Sequence, residues 1–374
     1  REGNIKNIYK RISIFLYLIL HKLFYILGNI VEFLKITRKS ADEKAVYIPR
    51  LLILDITHSC NLSCRICDIW KTKIGRQTSD LSAGETDLDI VYIKKLLSQA
   101  KNLGVKEIAL SGGEPLLRKD IFEIFDYARK IKIKNLGVLT NGILIEDYFS
   151  RLKPYLIDNT ISLVVSIDSL NSEVHNFIRN SNTAWQKTIK GLNMLSLLKE
   201  EFPGVNFNVI TIILDKNLEE LLAIANFVKK LKANSLQFQV LLPNNLNMAQ
   251  RKESLFKEDE EKLAVLDKTI DELVKFKEKN SQFVRNSISN LLLVKKYYRG
   301  KASIDDARCV SADKTILVSN QGNCTTCFSP YGSIKSSTLK EIINSKEIIK
   351  AQKGARNCSQ PCLLPCFCDM KDEY

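Results

Sequence analysis

The chain has 374 residues, 45% hydrophobic and 26% charged, with 15 glycines and 8 prolines; this composition excludes disordered, collagen-like and low-complexity architectures and supplies enough apolar material for a real core. Lys and Arg number 56 against 42 Asp and Glu, a formal charge of +14, and ten cysteines stand beside three histidines. The length and the low cysteine density exclude a disulfide-stapled miniprotein, while the basic balance admits an anionic membrane, nucleic acid or an acidic substrate.

Residues 5–37 are intensely apolar, broken near the middle by His21 and Lys22. Placed on a helix, Phe15, Leu16, Ile19, Leu23, Ile26, Leu27, Ile30 and Leu34 share one face, and Lys6, Lys10, Lys22, Asn29 and Glu32 gather opposite. The pattern predicts an amphipathic helix lying on an anionic membrane surface, with Tyr17, Phe24 and Tyr25 at interfacial depth, and hence a cytoplasmic protein peripheral to the inner face of the membrane. A helix packed on a partner and a spanning signal anchor are the alternatives. No small-residue cleavage pattern follows, which argues against a cleavable signal peptide. Residues 1–39 hold eight basic and two acidic side chains, so this stretch carries +6 of the +14 and the other 335 residues share +8.

From residue 51 onward, short apolar runs recur at Leu51 to Ile56, Glu107 to Leu110, Leu136 to Leu139, Ile161 to Ile167, Val205 to Ile213 and Leu236 to Leu242, and read as buried parallel strands. Helical spacing marks Asp87 to Asn102, Ile121 to Lys132, Thr183 to Glu200 and Leu218 to Leu231. Six βα units predict an α/β fold, a partial (β/α)6 TIM-like barrel whose site lies at the carboxyl ends of the strands. Residues 250–280 are charged with balanced signs, and Leu263, Leu266, Ile270 and Leu273 keep a helical stripe, as expected of a solvated linking helix. After about residue 300 the pattern turns to turns and cysteines. The expected organisation is an amphipathic segment 1–47, a barrel core 48–245, a helical linker 246–300 and a small Cys-rich C-terminal domain 301–374.

The run LDITHSCNLSCRICDIW sets Cys60, Cys64 and Cys67 in a CxxxCxxC spacing directly after the first strand. Three thiolates on one loop can hold three irons of a cubane [4Fe-4S] cluster and leave the fourth iron open for a chelating ligand. A structural zinc would recruit four closed ligands, and beyond His58 no fourth Cys or His lies at suitable local spacing. The second strand ends in SGGEP, residues 111–115, where glycines let backbone approach a ligand closely.

This arrangement resembles the radical S-adenosylmethionine (radical SAM) superfamily over roughly residues 48–245. The resemblance implies a [4Fe-4S] cluster on Cys60, Cys64 and Cys67, and S-adenosylmethionine whose amino group meets the Gly112, Gly113, Glu114 motif. It also implies cofactor contacts from Ser166 and Asp168 in VVSIDS, from Arg179 in HNFIRN, and from Ile66, an apolar residue where many members carry an aromatic. The chemistry implied is one-electron cleavage of the cofactor to methionine and a 5′-deoxyadenosyl radical that abstracts hydrogen from an unactivated carbon. That step needs no acid–base dyad, so His21, His58 and His175 are read as ordinary core or surface residues.

Seven further cysteines, Cys309, Cys324, Cys327, Cys358, Cys362, Cys366 and Cys368, crowd the tail. With Gly322 ahead of a ligand cysteine, the segment resembles the SPASM and twitch extensions, which hold auxiliary clusters; the CxxxCxxxCxC run at 358–368 departs from the usual spacing. One or two auxiliary [4Fe-4S] clusters are implied, with a zinc-knuckle cap as the alternative. The resemblance favours a peptide or protein substrate and a one-electron reductant such as a flavodoxin or ferredoxin, whereas the interfacial segment favours a lipid or isoprenoid. No RNA-binding signature or aromatic-basic interleaving supports nucleic acid. SGGEP argues against a plain iron-sulfur carrier, which has no use for a methionine-binding turn.

Overall fold

The computed structural model describes residues 48–71, 87–241, 259–303, 305–327, 330–358 and 362–370. The expected amphipathic segment 5–37, the start of the linker and Leu242 lie outside the described residues. Among the described residues no helix is long and apolar enough to cross a membrane.

Six strands form the parallel heart of the sheet: β1 (Leu51–Thr57), β2 (Glu107–Gly112), β3 (Leu136–Thr140), β4 (Ile161–Ser166), β5 (Phe207–Ile213) and β6 (Ser235–Val240), hydrogen-bonded in that order. Their outward residues, such as Leu52, Leu54, Leu110, Val138 and Leu163, are fully buried, as strands covered by crossover helices require. Each crossover carries a helix: α1 (Ile90–Leu103), α2 (Ile121–Lys130), α3 (Ile145–Ile157), α4 (Ser172–Arg179) with α5 (Ala184–Glu201), and α6 (Leu221–Lys230) behind a 3₁₀ turn at Leu218–Glu220. The helices not foreseen are α3, which carries Pro154 within it, and α4, eight residues long. A proline and a short span both blunt the helical period.

Caps fix the ends that matter for the site. Asn171 accepts hydrogen bonds from the Glu173 and Val174 amides at the start of α4, and Asn180 closes that helix in the left-handed conformation (φ 50°). Arg179 is thereby the last helical residue.

The tail does not stand apart from the barrel. After α7 (Glu260–Lys279) and α8 (Ile288–Tyr298), strand β7 (Ala307–Cys309) leads to β8 (Thr315–Val318), which pairs parallel with β1. β9 (Asn323–Thr325) and β10 (Pro330–Ser333) follow antiparallel, so the sheet order is β10-β9-β8-β1-β2-β3-β4-β5-β6. Helices α9 (Leu339–Ile343) and α10 (Lys346–Arg356) precede β11 (Cys368–Met370), which pairs with β7. The β6 edge is covered too: Leu236 and Phe238 exchange hydrogen bonds with Phe283, Arg285 and the Asn286 side chain. Both edges of the open barrel are therefore masked by C-terminal segments. Helix α7 contributes its stripe, Leu263, Leu266, Ile270 and Leu273, to the core against α6 and α8, a tighter role than that of a solvated linker.

Candidate active site

Residues 58–67 leave the carboxyl end of β1 and are pinned from two sides. On the β2 side, the Gly113 amide donates to Thr57 O at 2.7 Å and the Glu114 amide to Ser59 O at 2.8 Å. The approach is close enough that a Cβ on Gly112 (φ 118°) would stand 2.1 Å from Thr57 O, and one on Gly113 2.2 Å from Ser59 O. Only glycine fits here. On the α4 side, the Arg65 amide donates to Ile178 O at 2.9 Å, its Nε to Phe177 O at 3.1 Å, and Asn180 Nδ2 to Ser63 Oγ at 2.8 Å. Beneath the loop, Asp87 accepts from Thr57 Oγ1 at 2.6 Å and from Asn320 Nδ2 at 2.9 Å, which ties the β8–β9 turn to the loop.

Cys60, Cys64 and Cys67 line one cavity of about 220 Å³ together with Ile66, Ser111, Gly112, Gly113, Ser166 and Arg179. Burial pushes the Cys60 thiol up to about 12 and raises Cys64 and Cys67 as well. The thiolate form therefore needs a cation to stabilise it, as a metal cluster would supply. Among the described residues, no three Cys, His, Asp or Glu side chains stand at the spacing of ligands around a single ion. A four-iron cube holds its thiolates farther apart than one tetrahedral zinc does, so an open three-thiol loop suits the cube.

Arg179 faces the cavity beside Cys64, its Nη2 2.7 Å from Asp168 Oδ2. Burial opposes its charge, but Asp168 and Cys64 outweigh it and keep the guanidinium cationic. Its Nε has no hydrogen-bond partner among the described residues. A buried guanidinium with an orphaned N–H on a cavity wall fits an anionic ligand group. Three thiols, a turn that a Cβ would fill and this donor together fit a cluster with a chelating amino acid.

Two of the expected contacts sit behind the wall instead of on it. Asp168 is fully buried and does not line the cavity; its Oδ1 accepts from the Ile212 amide at 3.2 Å while Oδ2 holds Arg179. Glu114 is likewise 0% exposed, its carboxylate taken by Thr140 Oγ1 at 2.9 Å, the Asn141 amide at 2.8 Å and the Leu116 amide at 3.1 Å. Burial lifts its pKa to about 7 against the pull of those donors. Both carboxyls position neighbours of the cavity: Asp168 aims Arg179, and Glu114 locks the β2 turn to the end of β3. Ile66 packs on Ile178, Leu214 and Leu241 as an apolar wall. His175 accepts from the Asp168 amide and is held neutral, burial taking its pKa to about 4.

Sequence reasoning passed over Thr140, Asn141, Trp70 and Ile212, which also line the cavity. Thr140 and Asn141 fall at the carboxyl end of β3, the position that α/β geometry marks as functional, and their Thr-Asn-Gly run was the available signal.

Of the seven tail cysteines, six converge. Cys309 pairs with Cys368 across β7 and β11, Cys362 Sγ lies 3.5 Å from Cys368 Sγ, Cys309, Cys327 and Cys366 are close enough to Cys362 to feel its charge, and Cys358 lies close enough to Cys309 and Cys327 to act on both. Hydrogen bonding to Cys368 draws Cys362 down to about 7. Cys324 stands apart: strand alternation turns it into the core of β9, opposite Gly332 and Val318, and its rise to about 12 comes from burial alone. The six lie at the amino end of β1 and β8, where Thr315, the register partner of Leu51, hydrogen-bonds the Cys366 carbonyl. Seven residues of β1 put the two cysteine groups roughly 20 Å apart at opposite ends of the barrel.

Residues 54–228 match the Radical SAM superfamily. The chain is 32% identical over 196 residues to an AdoMet-dependent heme synthase of Methanosarcina barkeri, covering 52% of this chain and 51% of that one. It is 29% identical over 213 residues to the antilisterial bacteriocin subtilosin biosynthesis protein AlbA of Bacillus subtilis, 57% of this chain and 43% of that one. It thus spans about half the length of these curated relatives. In fold it is similar to Streptococcus suis SuiB bound to the precursor peptide SuiA (TM-score 0.59, 15% identity, 84% of this chain and 67% of that one). It is also similar to anSMEcpe with bound AdoMet and Cp18Cys peptide (TM-score 0.58, 21% identity, 83% of this chain and 84% of that one). The likeness covers more of the chain than the barrel alone. The barrel at the centre of this chain is a radical SAM superfamily domain.

Proposed function

We propose that the protein is a radical SAM enzyme acting on a peptide or protein substrate. Cys60, Cys64 and Cys67 hold a [4Fe-4S] cluster, and Cys309, Cys327, Cys358, Cys362, Cys366 and Cys368 supply the ligands of one or two auxiliary clusters. The observation that carries the reading is the meeting of the three-thiol loop and the Gly112–Gly113 turn on one cavity. When bound, the cluster and S-adenosylmethionine supply one-electron cleavage of a carbon–sulfur bond and a 5′-deoxyadenosyl radical for hydrogen abstraction. The chain's own task is to hold and exclude. Gly112 and Gly113 bring backbone within reach of the amino acid part of the cofactor, and Arg179, aimed by Asp168, offers its orphaned N–H to the carboxylate. Ser166 and Ile66 bound the nucleoside side. A one-electron reductant such as a flavodoxin or ferredoxin completes the reaction.

A peptide substrate is supported by the solved neighbours that were captured with peptides, SuiB with SuiA and anSMEcpe with Cp18Cys. The apolar and basic pattern of residues 5–37 favours a second reading, the same chemistry on a lipid at a membrane surface. Anaerobic reconstitution is expected to load more than about four irons per chain and, with reductant, to release 5′-deoxyadenosine. Replacing Cys60, Cys64 and Cys67 together by Ala should abolish that release, and a triple variant that still cleaves the cofactor would sink the assignment. Release stimulated by phospholipid vesicles and not by peptides would favour the lipid.

A further inference from the structure

The inner face of the barrel can be followed strand by strand from the cavity. Ser111, Ser166 and Ile212 line the cavity, and the register carries their face around the sheet: Asp55 lies opposite Ser111, Ser166 opposite Ile210, and Ile212 opposite Gln239. Asp55 therefore shares the inner face, five residues before Cys60, while its neighbours Leu54 and Ile56 are buried on the outer one. The face is polar on both walls, with Asp55 and Ser111 on one and Gln237 and Gln239 on the other, and apolar between them at Leu139, Val164 and Ile210.

Among the described residues, the other charged groups named at the two mouths of this face have counter-charges. Glu107, at the amino mouth, has Arg50 at 3.1 Å and Arg285 at 3.6 Å. Arg179, at the carboxyl mouth, has Asp168. Among the described residues, Asp55 has the Ser111 hydroxyl as its side-chain partner and no cation at ion-pair distance, although burial is deep enough to lift its pKa to about 6. A carboxylate kept ionised in a lumen without a counter-charge costs stability, and such groups cluster where a ligand supplies the missing charge.

We propose that Asp55 is the specificity-determining carboxylate of the lumen, selecting a substrate that presents an ammonium or guanidinium group beneath the Cys60–Cys67 loop. The proposal rests on the reading that the lumen receives substrate, and deepens it: the recognised class is a cationic peptide side chain, with the Gln237 and Gln239 carboxamides opposite to meet peptide amides. An acyl or isoprenoid chain would leave this carboxylate unpaired.

The test uses the full chain, reconstituted anaerobically with S-adenosylmethionine, and blocked tripeptides with Gly on either side of a central Lys, norleucine or Glu, titrated by calorimetry. The Lys peptide is expected to bind at least about tenfold more tightly than the norleucine peptide, with the Glu peptide weakest. Asp55→Asn should shrink the preference to within about twofold and Asp55→Glu should keep it, with circular dichroism and iron content unchanged in both. Equal affinities in the unaltered protein, binding of none of the peptides, or a preference that survives Asp55→Asn overturns the proposal. If a variant does not fold, the unaltered protein's ranking of the three peptides decides. Release of 5′-deoxyadenosine in the same samples reports separately on the radical reading: release without a Lys preference sinks the role of Asp55 alone, and a Lys preference without release sinks the radical reading alone.

Discussion

The two cysteine groups of this chain sit at opposite ends of the same strand and are built in opposite ways. At the carboxyl end of β1, three cysteines come from one loop of eight residues, clamped by backbone bonds to the Gly113 turn and to the end of α4. At the amino end, six come from separate segments, β7, the turn after β9, the end of α10 and the run into β11, and meet because β8 pairs with β1 and β11 with β7. The first group is a local device carried by the barrel. The second depends on tertiary assembly, so it exists only when the tail has completed the sheet. The Asp87 to Asn320 bond ties the β8–β9 turn to the strand end that holds the first loop, so the tail also braces the local group.

The sharpest way to break this contrast is to test the cysteine that sequence proximity counts in and geometry leaves out. Cys327→Ala is expected to lose the auxiliary iron, about four atoms per chain, and keep the iron of the barrel loop. Cys324→Ala should retain both and cost about 1 to 2 kcal/mol of stability, as removal of a buried side chain does. Iron and sulfide assays with Mössbauer spectra of the two variants check this. Loss of auxiliary iron from Cys324→Ala would show that β9 is turned over relative to the arrangement described.

A second test acts on the local group. A Cβ at Gly113 would stand 2.2 Å from Ser59 O and 2.8 Å from His58 O, both backbone atoms that cannot rotate away. Gly113→Ala should therefore push the cysteine loop off the β2 turn, at about 3 kcal/mol in stability and with binding of S-adenosylmethionine weakened by roughly a hundredfold. The auxiliary iron should be untouched. Calorimetry with the cofactor beside the iron assay separates the two. If Gly113→Ala strips iron from both groups equally, the loop is not the independent unit described.

The same contrast explains what was legible in the sequence. The barrel strands and the Cys60, Cys64, Cys67 loop announce themselves because their signals are local: apolar runs of four to nine residues, helical periods between them, and three cysteines within eight positions. Glu114 and Asp168 were visible as motif residues, yet nothing in one dimension tells a carboxylate on a cavity wall from one buried behind it; burial and the Thr140 and Arg179 partners place both behind the wall. Cys324 and Cys327 look like one CxxC pair, and strand alternation in β9 divides them. The parallel pairing of β8 with β1 joins segments some 260 positions apart and leaves no local trace. Asp55 went unread because a single acid in an apolar strand has meaning only once the register shows what it faces.

Asp55 lies between the two groups, and its energetics give an effect that leaves the iron of both untouched. Burial raises its pKa from 3.8 to about 6, so between those values the folded chain binds more protons than the unfolded one. Stability then falls as pH rises through this window and stays lower above it, by at most about 3 kcal/mol. Asp55→Asn removes the titration, so the variant is expected to match the unaltered protein near pH 4 and to exceed it in urea resistance at pH 7. A substitution that stabilises while erasing selectivity is the signature of a group kept for function. A stability gap of the same size at both pH values would mean that Asp55 is an ordinary packing residue of β1, and the lumen would then lack the charge that the cationic substrate is proposed to meet.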